Sequence, residues 1–418
     1  MLQLSIREAI DRGLKFNLGV ILDEHSVRGA RGERLKSLSD LLPHLSTRTA
    51  ETAEQLNLAA FGLNLPGVPK VVGPFGVFDA RATLDQPILD LKAFNNTRAA
   101  TENLKAAELN YQDAREIVVL VVTNLYLQAL AGAARVQAAE AQLRTAEAVY
   151  HQSSDLRNAG VAAGIDVLRS QVDMQARRQR LLSVQNDFSK QKLALARAIG
   201  LPPAQAFAFA DRMPESPAPV VTFEKALADA YLNRADWQRA QALVRSARLT
   251  RTAELAGAFP VLRFDGDYGV IGPTPGNSHG SFTATASLTL PIFQGGRVRA
   301  QVIQSEALLS QRKAEMQDLQ GRIETEVRIA FLDLQTAGQQ VEVAKQAVEL
   351  ARQEVQQSRD RFAAGVAGSL EVTQAQEALA VADENVIASI YAHNVAKATL
   401  ARAVGVAEKA IKQFLGTR

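Results

Sequence analysis

Two long stretches of this chain copy one another in order, and any fold must accommodate the copy. Lys192–Gly200 (KLALARAIG) returns as Lys397–Gly405 (KATLARAVG). The same displacement lays Ala159-Gly160-Val161 on Ala364-Gly365-Val366, Asp166-Val167 on Glu371-Val372, and Tyr126-Leu127 on Phe331-Leu332. With small changes upstream, Gln86-Pro87-Ile88 meets Leu290-Pro291-Ile292, and Glu8-Ala9-Ile10 meets Lys225-Ala226-Leu227. Ordered self-similarity of this kind marks one supersecondary unit used twice. The expected organisation is a first structural repeat over 1–201, a linker over 202–221, a second repeat over 222–406 and a C-terminal tail over 407–418.

Each copy reads in the same order. A helix opens it (roughly Ile6–Leu41, then Phe223–Gly257), and two extended segments around a Gly- and Pro-rich loop follow. A very long helix, a tight turn and a returning helix complete it.

The long helices carry a heptad seam. From Val327 the positions Ala330, Leu334, Ala337, Val341, Ala344, Val348, Ala351, Val355, Ser358 and Phe362 keep a strict spacing of three and four, with large and small residues alternating. That pattern lets antiparallel helices approach closely. Val118, Val122, Leu125 and Ala129 begin the same seam in the first copy. A helix over Arg297–Phe362 would run roughly 100 Å at about 1.5 Å per residue. Its remaining faces are rich in Gln, Arg and Glu, which suits either the wall of an aqueous tunnel or a spacer without a lumen.

The extended segments alternate apolar and polar residues. In Leu262–Tyr268, Leu262, Phe264 and Tyr268 share one face, and Arg263, Asp265 and Asp267 the other. Phe78–Asp85 and Ser281–Leu290 follow the same period of two, while Leu42–Leu58 is the poorest strand, interrupted by Glu51 and Glu54. Strands of this length suit a membrane barrel or a soluble sheet with one wet face. Four strands cannot close around a lumen, and an open edge is not tolerated in lipid, so a barrel needs several chains. Three chains would supply twelve strands.

Several function classes are excluded or left without support. The chain has no cysteine, which rules out disulfides and thiolate metal sites. Its formal net charge of +3 is spread thinly and gives no footprint for nucleic acid. No phosphate loop, nucleophile elbow or paired-histidine zinc motif occurs, and His25, His44, His151, His279 and His393 are scattered. His393 falls on the heptad seam, where packing is its expected role. No catalytic residue, cofactor or metal site is expected. No transmembrane helix is expected from runs of apolar residues. Met1–Ser5 lacks the basic and apolar regions of a secretory signal, which fits a cytosolic protein or a chain whose signal was removed.

Taken together, the junction Leu288–Arg297 (LTLPIFQGGR), its weaker counterpart Asp85–Asp90, the two Ala-Gly-Val turns and the two LARA-(I/V)-G endings resemble the TolC family of outer-membrane efflux proteins. The opening Leu4–Leu14 (LSIREAIDRGL) followed by Asn17 is similar to the family's start. The resemblance implies a mixed α and β, mainly α fold. In it, a homotrimer forms a 12-stranded transmembrane β-barrel in outer-membrane lipid, continued by a 12-helix periplasmic α-barrel of antiparallel coiled coils. It further implies a non-enzymatic exit duct for efflux or type I secretion, working with a periplasmic adaptor and an inner-membrane pump. A soluble coiled-coil scaffold or adaptor without a pore is the alternative.

Gly160 and Gly365 read as helix C-cap glycines, and Asp166 and Ser369 as caps of the returning helices. The resemblance makes Gly160, Val161, Gly365 and Val366 candidate adaptor contacts at the helical tips. It places Asp166, Glu371 and Gln374 near the aperture of the lumen. There, rings of carboxylates would favour cations, or the acids would simply complement the helix N-termini.

Overall fold

The computed structural model describes residues 2–63, 66–161, 163–217 and 221–415, with side chains described as far as Ile411. Positions 64–65 of the first strand loop, Ala162 of the first tip turn, 218–220 of the expected linker and 416–418 of the expected tail lie outside the described residues. In chain order the elements are β1 (Leu2–Leu4), α1 (Ile6–Phe16), α2 (Leu18–Ser39), β2 (His44–Asn57), β3 (Val71–Leu89), α3 (Leu91–Asn158) and α4 (Gly164–Ala198). Then come β4 (Phe207–Phe209), α5 (Phe223–Asn233), α6 (Ala235–Ala256), β5 (Val261–Gly272), β6 (His279–Thr289), α7 (Arg297–Ala363), α8 (Ser369–Ala403) and α9 (Ala407–Leu415).

Each opening helix, expected to be continuous, is two helices. Asn17 and Arg234 adopt extended backbone angles (ψ 126° and 120°), while their N–H groups still bond the preceding turn at Gly13 and Ala230. The break therefore costs no donor, and the chain changes direction at one residue. Ser5 caps α1 in a reciprocal box with Glu8, and Thr222 caps α5 through Lys225 N–H. A close backbone approach marks each break. A Cβ on Gly200 would lie 2.6 Å from Phe16 Cβ, and one on Gly405 would lie 2.8 Å from the Arg234 backbone. Both glycines have positive φ (65° and 79°). The LARA-(I/V)-G ending of each half thus packs directly on the bend beside that half's opening helix.

Residues 1–25, 108–238 and 317–418 form one compact unit. The two compact units do not follow the two sequence copies, because helices from both halves share each core. In this unit Leu4, Val119, Val122, Tyr126, Leu127, Leu195, Ile199 and Phe207 are buried in one cluster. The Tyr126 hydroxyl donates to Leu4 O at 2.8 Å, and burial pushes its pKa up. The segment expected to be a linker contains β4, which pairs in parallel with β1 and buries Phe207. Apolar burial, not length, decides that outcome: Phe207 and Phe209 stack edge-on at 5.6 Å. The expected tail likewise begins as α9, with Ala407 and Ile411 buried. Glu116 accepts from Glu408 N–H at its N-terminus, and Arg115 pairs with Glu408.

One 18-residue window of α3 reaches a mean hydropathy of 1.9, apolar enough to cross a membrane by composition although it is no uninterrupted apolar run. Of that window, 56% is buried inside the fold. It is the core stretch around Val119–Leu127.

The seam predicted for α7 is the stripe that the structure buries: Val327, Ala330, Leu334, Ala337, Ala344, Val348, Ala351, Val355 and Phe362 are all buried. Flanking positions are largely exposed. His393 is buried as expected, with Nε2 unpaired.

Residues 26–107 and 239–316 form the other unit, built on a four-stranded antiparallel sheet in the order β2-β3-β5-β6. The poorest expected strand is β2, and it pairs along nearly its whole length with β3. Its side chains face solvent, so backbone pairing and not an apolar face holds it.

Candidate functional site at the helical tips and the sheet

The two tip turns are built alike. At the end of α3, Gly160 N–H bonds Arg157 O and Val161 N–H bonds Leu156 O. At the end of α7, Gly365 N–H bonds Phe362 O and Val366 N–H bonds Arg361 O. This paired closure needs a left-handed residue at the first position after the cap. Gly160 and Gly365 supply it with φ of 75° and 71°. Beyond them Val161 and Val366 stand 71% and 68% exposed. Two apolar side chains are thus left largely exposed on these turns.

The expected caps of the returning helices are replaced by another arrangement. Ala163 and Gly368 hold the N-cap positions without a side-chain bond. The Ser369 hydroxyl instead donates to Asp166 Oδ1 at 2.7 Å, joining one hairpin's turn to the other's. Ser369 is fully buried, so its hydroxyl needs a partner there, and the neighbouring helix start supplies a carboxylate. Arg169 stands 3.9 Å from the same carboxylate. Glu371 meets Arg361 Nε at 2.9 Å, and Gln374 is exposed. The structure therefore brings Asp166 and Ser369 together and gives Glu371 a cation of its own. Below them Val149, Phe362 and Val372 form a small buried cluster. The cross-hairpin bond was not readable from the sequence, because nothing in either turn specifies the facing turn.

The sheet has two unlike faces. Asp79, Arg81 and Asp267 lie on one, where Arg81 donates to Asp79 at 2.7 Å and to Asp267 at 2.9 Å. On the other face, Tyr268 stands directly opposite Phe282, and the two are 70% and 76% exposed. Leu45 and Leu288 continue this face, also exposed. The outer edges of β2 and β6 pair with no described strand. Among the described residues no group of three or more His, Asp or Glu side chains could hold a metal ion.

Wet on one side, bare and aromatic on the other, and open at both edges, this sheet has the make-up of a piece of a membrane barrel. The model of the outer membrane efflux protein family matches residues 73–201 and 226–406, and the chain belongs to that family. Its members are efflux channels and not enzymes. The pyoverdine export outer membrane protein OpmQ of Pseudomonas putida is 25% identical over 67% of this chain and 60% of its own length. The OpmQ of Pseudomonas aeruginosa is 26% identical over 77% of this chain and 68% of its own. The chain thus aligns with about two thirds of these curated relatives. In fold, the outer membrane protein VceC of Vibrio cholerae superposes with a TM-score of 0.81 at 19% identity, covering 96% of both chains.

Proposed function

We propose that this chain is one protomer of a trimeric exit duct in the outer membrane, through which a pump's substrates pass without chemistry. The observation that carries the reading is the sheet. Its apolar face with Tyr268 and Phe282 would meet lipid, its face with Arg81 and Asp267 would meet the water of the lumen, and its two free edges would pair with neighbouring copies. Because the strands alternate strictly in direction, β6 of one copy meets β2 of the next antiparallel, which continues the pattern around a ring of twelve. A pore-free scaffold would leave the aromatic face in water and both edges open, a combination that favours aggregation.

In the same reading the hairpins α3–α4 and α7–α8 line a periplasmic tunnel, and the two halves of the chain are structural repeats. Gly160, Val161, Gly365 and Val366 form the surface for a periplasmic adaptor that links the duct to an inner-membrane pump. Asp166, Glu371 and Gln374 border the aperture. Ser369 and Arg361 would keep the two carboxylates engaged while the aperture is closed.

Reconstitution of the detergent-extracted protein into planar bilayers tests this directly. Stepwise conductance from a particle of three chains is expected. A monodisperse single chain that stays soluble without detergent and gives no conductance would overturn it. Export of a pyoverdine, named for the two OpmQ relatives, is the first cargo to assay.

A further inference from the structure

The second hairpin carries two arginines, Arg352 and Arg359, that have no ion-pair partner among the described residues. Among α3, α4, α7 and α8, within the unit of residues 1–25, 108–238 and 317–418, lies a cavity of about 250 Å³. Arg352 and Arg359 of α7 line it, with Gln142, Arg177, Gln376 and Asp383. A neighbouring cavity of about 520 Å³ shares Thr145 and Arg359 with it and adds Arg144. Among the described residues no carboxylate lies within ion-pair distance of Arg144, Arg352 or Arg359. Arg177, by contrast, is already held by Asp173 and Glu377.

Unpaired surface arginines alone would mean little. Gln376 adds an independent observation: it is 8% exposed, it lines the cavity, and its Nε2 is buried without a hydrogen-bond partner. A buried amide donor left unpaired is a standing penalty that an acceptor would remove. Asp383 is not that acceptor. It takes the hydrogen bond of Gln142, and burial pushes its carboxyl up from the usual range despite Arg352 nearby. The duplication supplies a control. The displacement that maps Lys192 to Lys397 puts Glu147 and Ser154 at the positions of Arg352 and Arg359. Pairing of these helices therefore does not itself demand a cation there.

We propose that this cavity binds an oxyanion, of the carboxylate, sulfate or phosphate class, with the Gln376 amide and the Arg352 and Arg359 guanidinium groups as its donors. Guanidinium forks suit such groups because two parallel N–H donors match two oxygens. Arg352 and Arg359 are seven residues apart, hence on one face and roughly 10 Å apart along the helix axis. They could converge on a free ion, or receive two acidic side chains at matching spacing on a partner helix.

The test uses the full chain in detergent, with binding followed by calorimetry and melting. One arm titrates sodium sulfate against sodium chloride at matched ionic strength. The other titrates a helical peptide carrying two glutamates seven residues apart, against its glutamine version. The wild type should bind in at least one arm, and R352Q/R359Q should bind roughly tenfold more weakly or worse. Gln376→Leu should lose the same signal yet melt no lower than the wild type without ligand, since it removes the unpaired donor. Binding of sulfate alone identifies a free ion, and binding of the glutamate peptide identifies a protein side chain. Binding in neither arm, or binding that all three proteins share equally, overturns the proposal. Either result leaves the conductance experiment above unaffected.

Discussion

The hydroxyl of Ser369 and the carboxylate of Asp166 meet at 2.7 Å, and the two residues belong to the first turns of different returning helices. The bond links the two tips of one chain. Ser369→Ala should cost about 1.5 kcal/mol, the lower end for a hydrogen bond to a charged group, because Asp166 keeps Arg169 close by. In bilayers the same variant should raise the open probability at low voltage. Unchanged single-channel behaviour would show that the bond stiffens the tips without restraining the aperture.

Two glycines with nearly the same backbone angle should respond differently to alanine. Gly365 (φ 71°) has nothing within 4 Å of a prospective Cβ, so Gly365→Ala should cost only the left-handed conformation, about 1 kcal/mol. Gly405 (φ 79°) would place that atom 2.8 Å from the Arg234 backbone. Gly405→Ala should therefore be clearly worse, on the order of 3 kcal/mol, with loss of folded yield. Equal melting points for the two variants would contradict the packing described for the LARA-(I/V)-G endings.

Arg234 holds the bend that Gly405 packs against. It is 3% exposed and pairs with Asp236 at 2.6 Å and with Glu326 at 2.6 Å. The Asp236 carboxyl lies below its ordinary pKa: burial opposes that shift, and the hydrogen bonds and charge of Arg234 outweigh it. Arg234→Met should cost about 3 kcal/mol or more, because a buried carboxylate loses its cation. Adding Asp236→Asn should recover part of that loss. Additive losses in denaturant unfolding would show that the two side chains do not act as a pair.

Lys397 gives the fold a pH dependence of predictable sign. Its side chain is fully buried and donates to Ser216, and burial lowers its pKa from 10.5 to about 8. Between those values the unfolded chain holds more protons at this site than the native one, so stability rises with pH across that window. Lys397→Met should abolish this increment. The check is the melting temperature of the wild type minus that of the variant, which should rise from pH 8 to pH 10.

The long hairpins and the strand alternation were legible because a periodic pattern reports on burial of one face, and that burial is local to the element. The seam from Val327 to Phe362 shows this most directly. Elements whose stability comes from distant partners were not legible. Strand β4 exists because Phe207 finds the N-terminal strand, and α9 because Ala407 and Ile411 find the α3 core. The bends at Asn17 and Arg234 were missed for a related reason, since each lies beside a glycine more than 170 residues away. At the tips, the glycines announced themselves through turn chemistry. The bond from Ser369 to Asp166 and the cavity lined by Arg352 and Arg359 depend on which helices face one another.

The sheet's two open edges belong to different strands, β2 and β6, and this has a genetic consequence. In the proposed ring an edge would meet its unlike counterpart on another copy, so each subunit would carry one socket and one plug. A copy whose β2 edge is blocked, for example by prolines in place of Thr47 and Thr49, keeps a sound β6. It can still join one neighbour while preventing the ring from closing. Such an allele should be dominant: expressed alongside the wild type, it should silence export well beyond its own share of the chains.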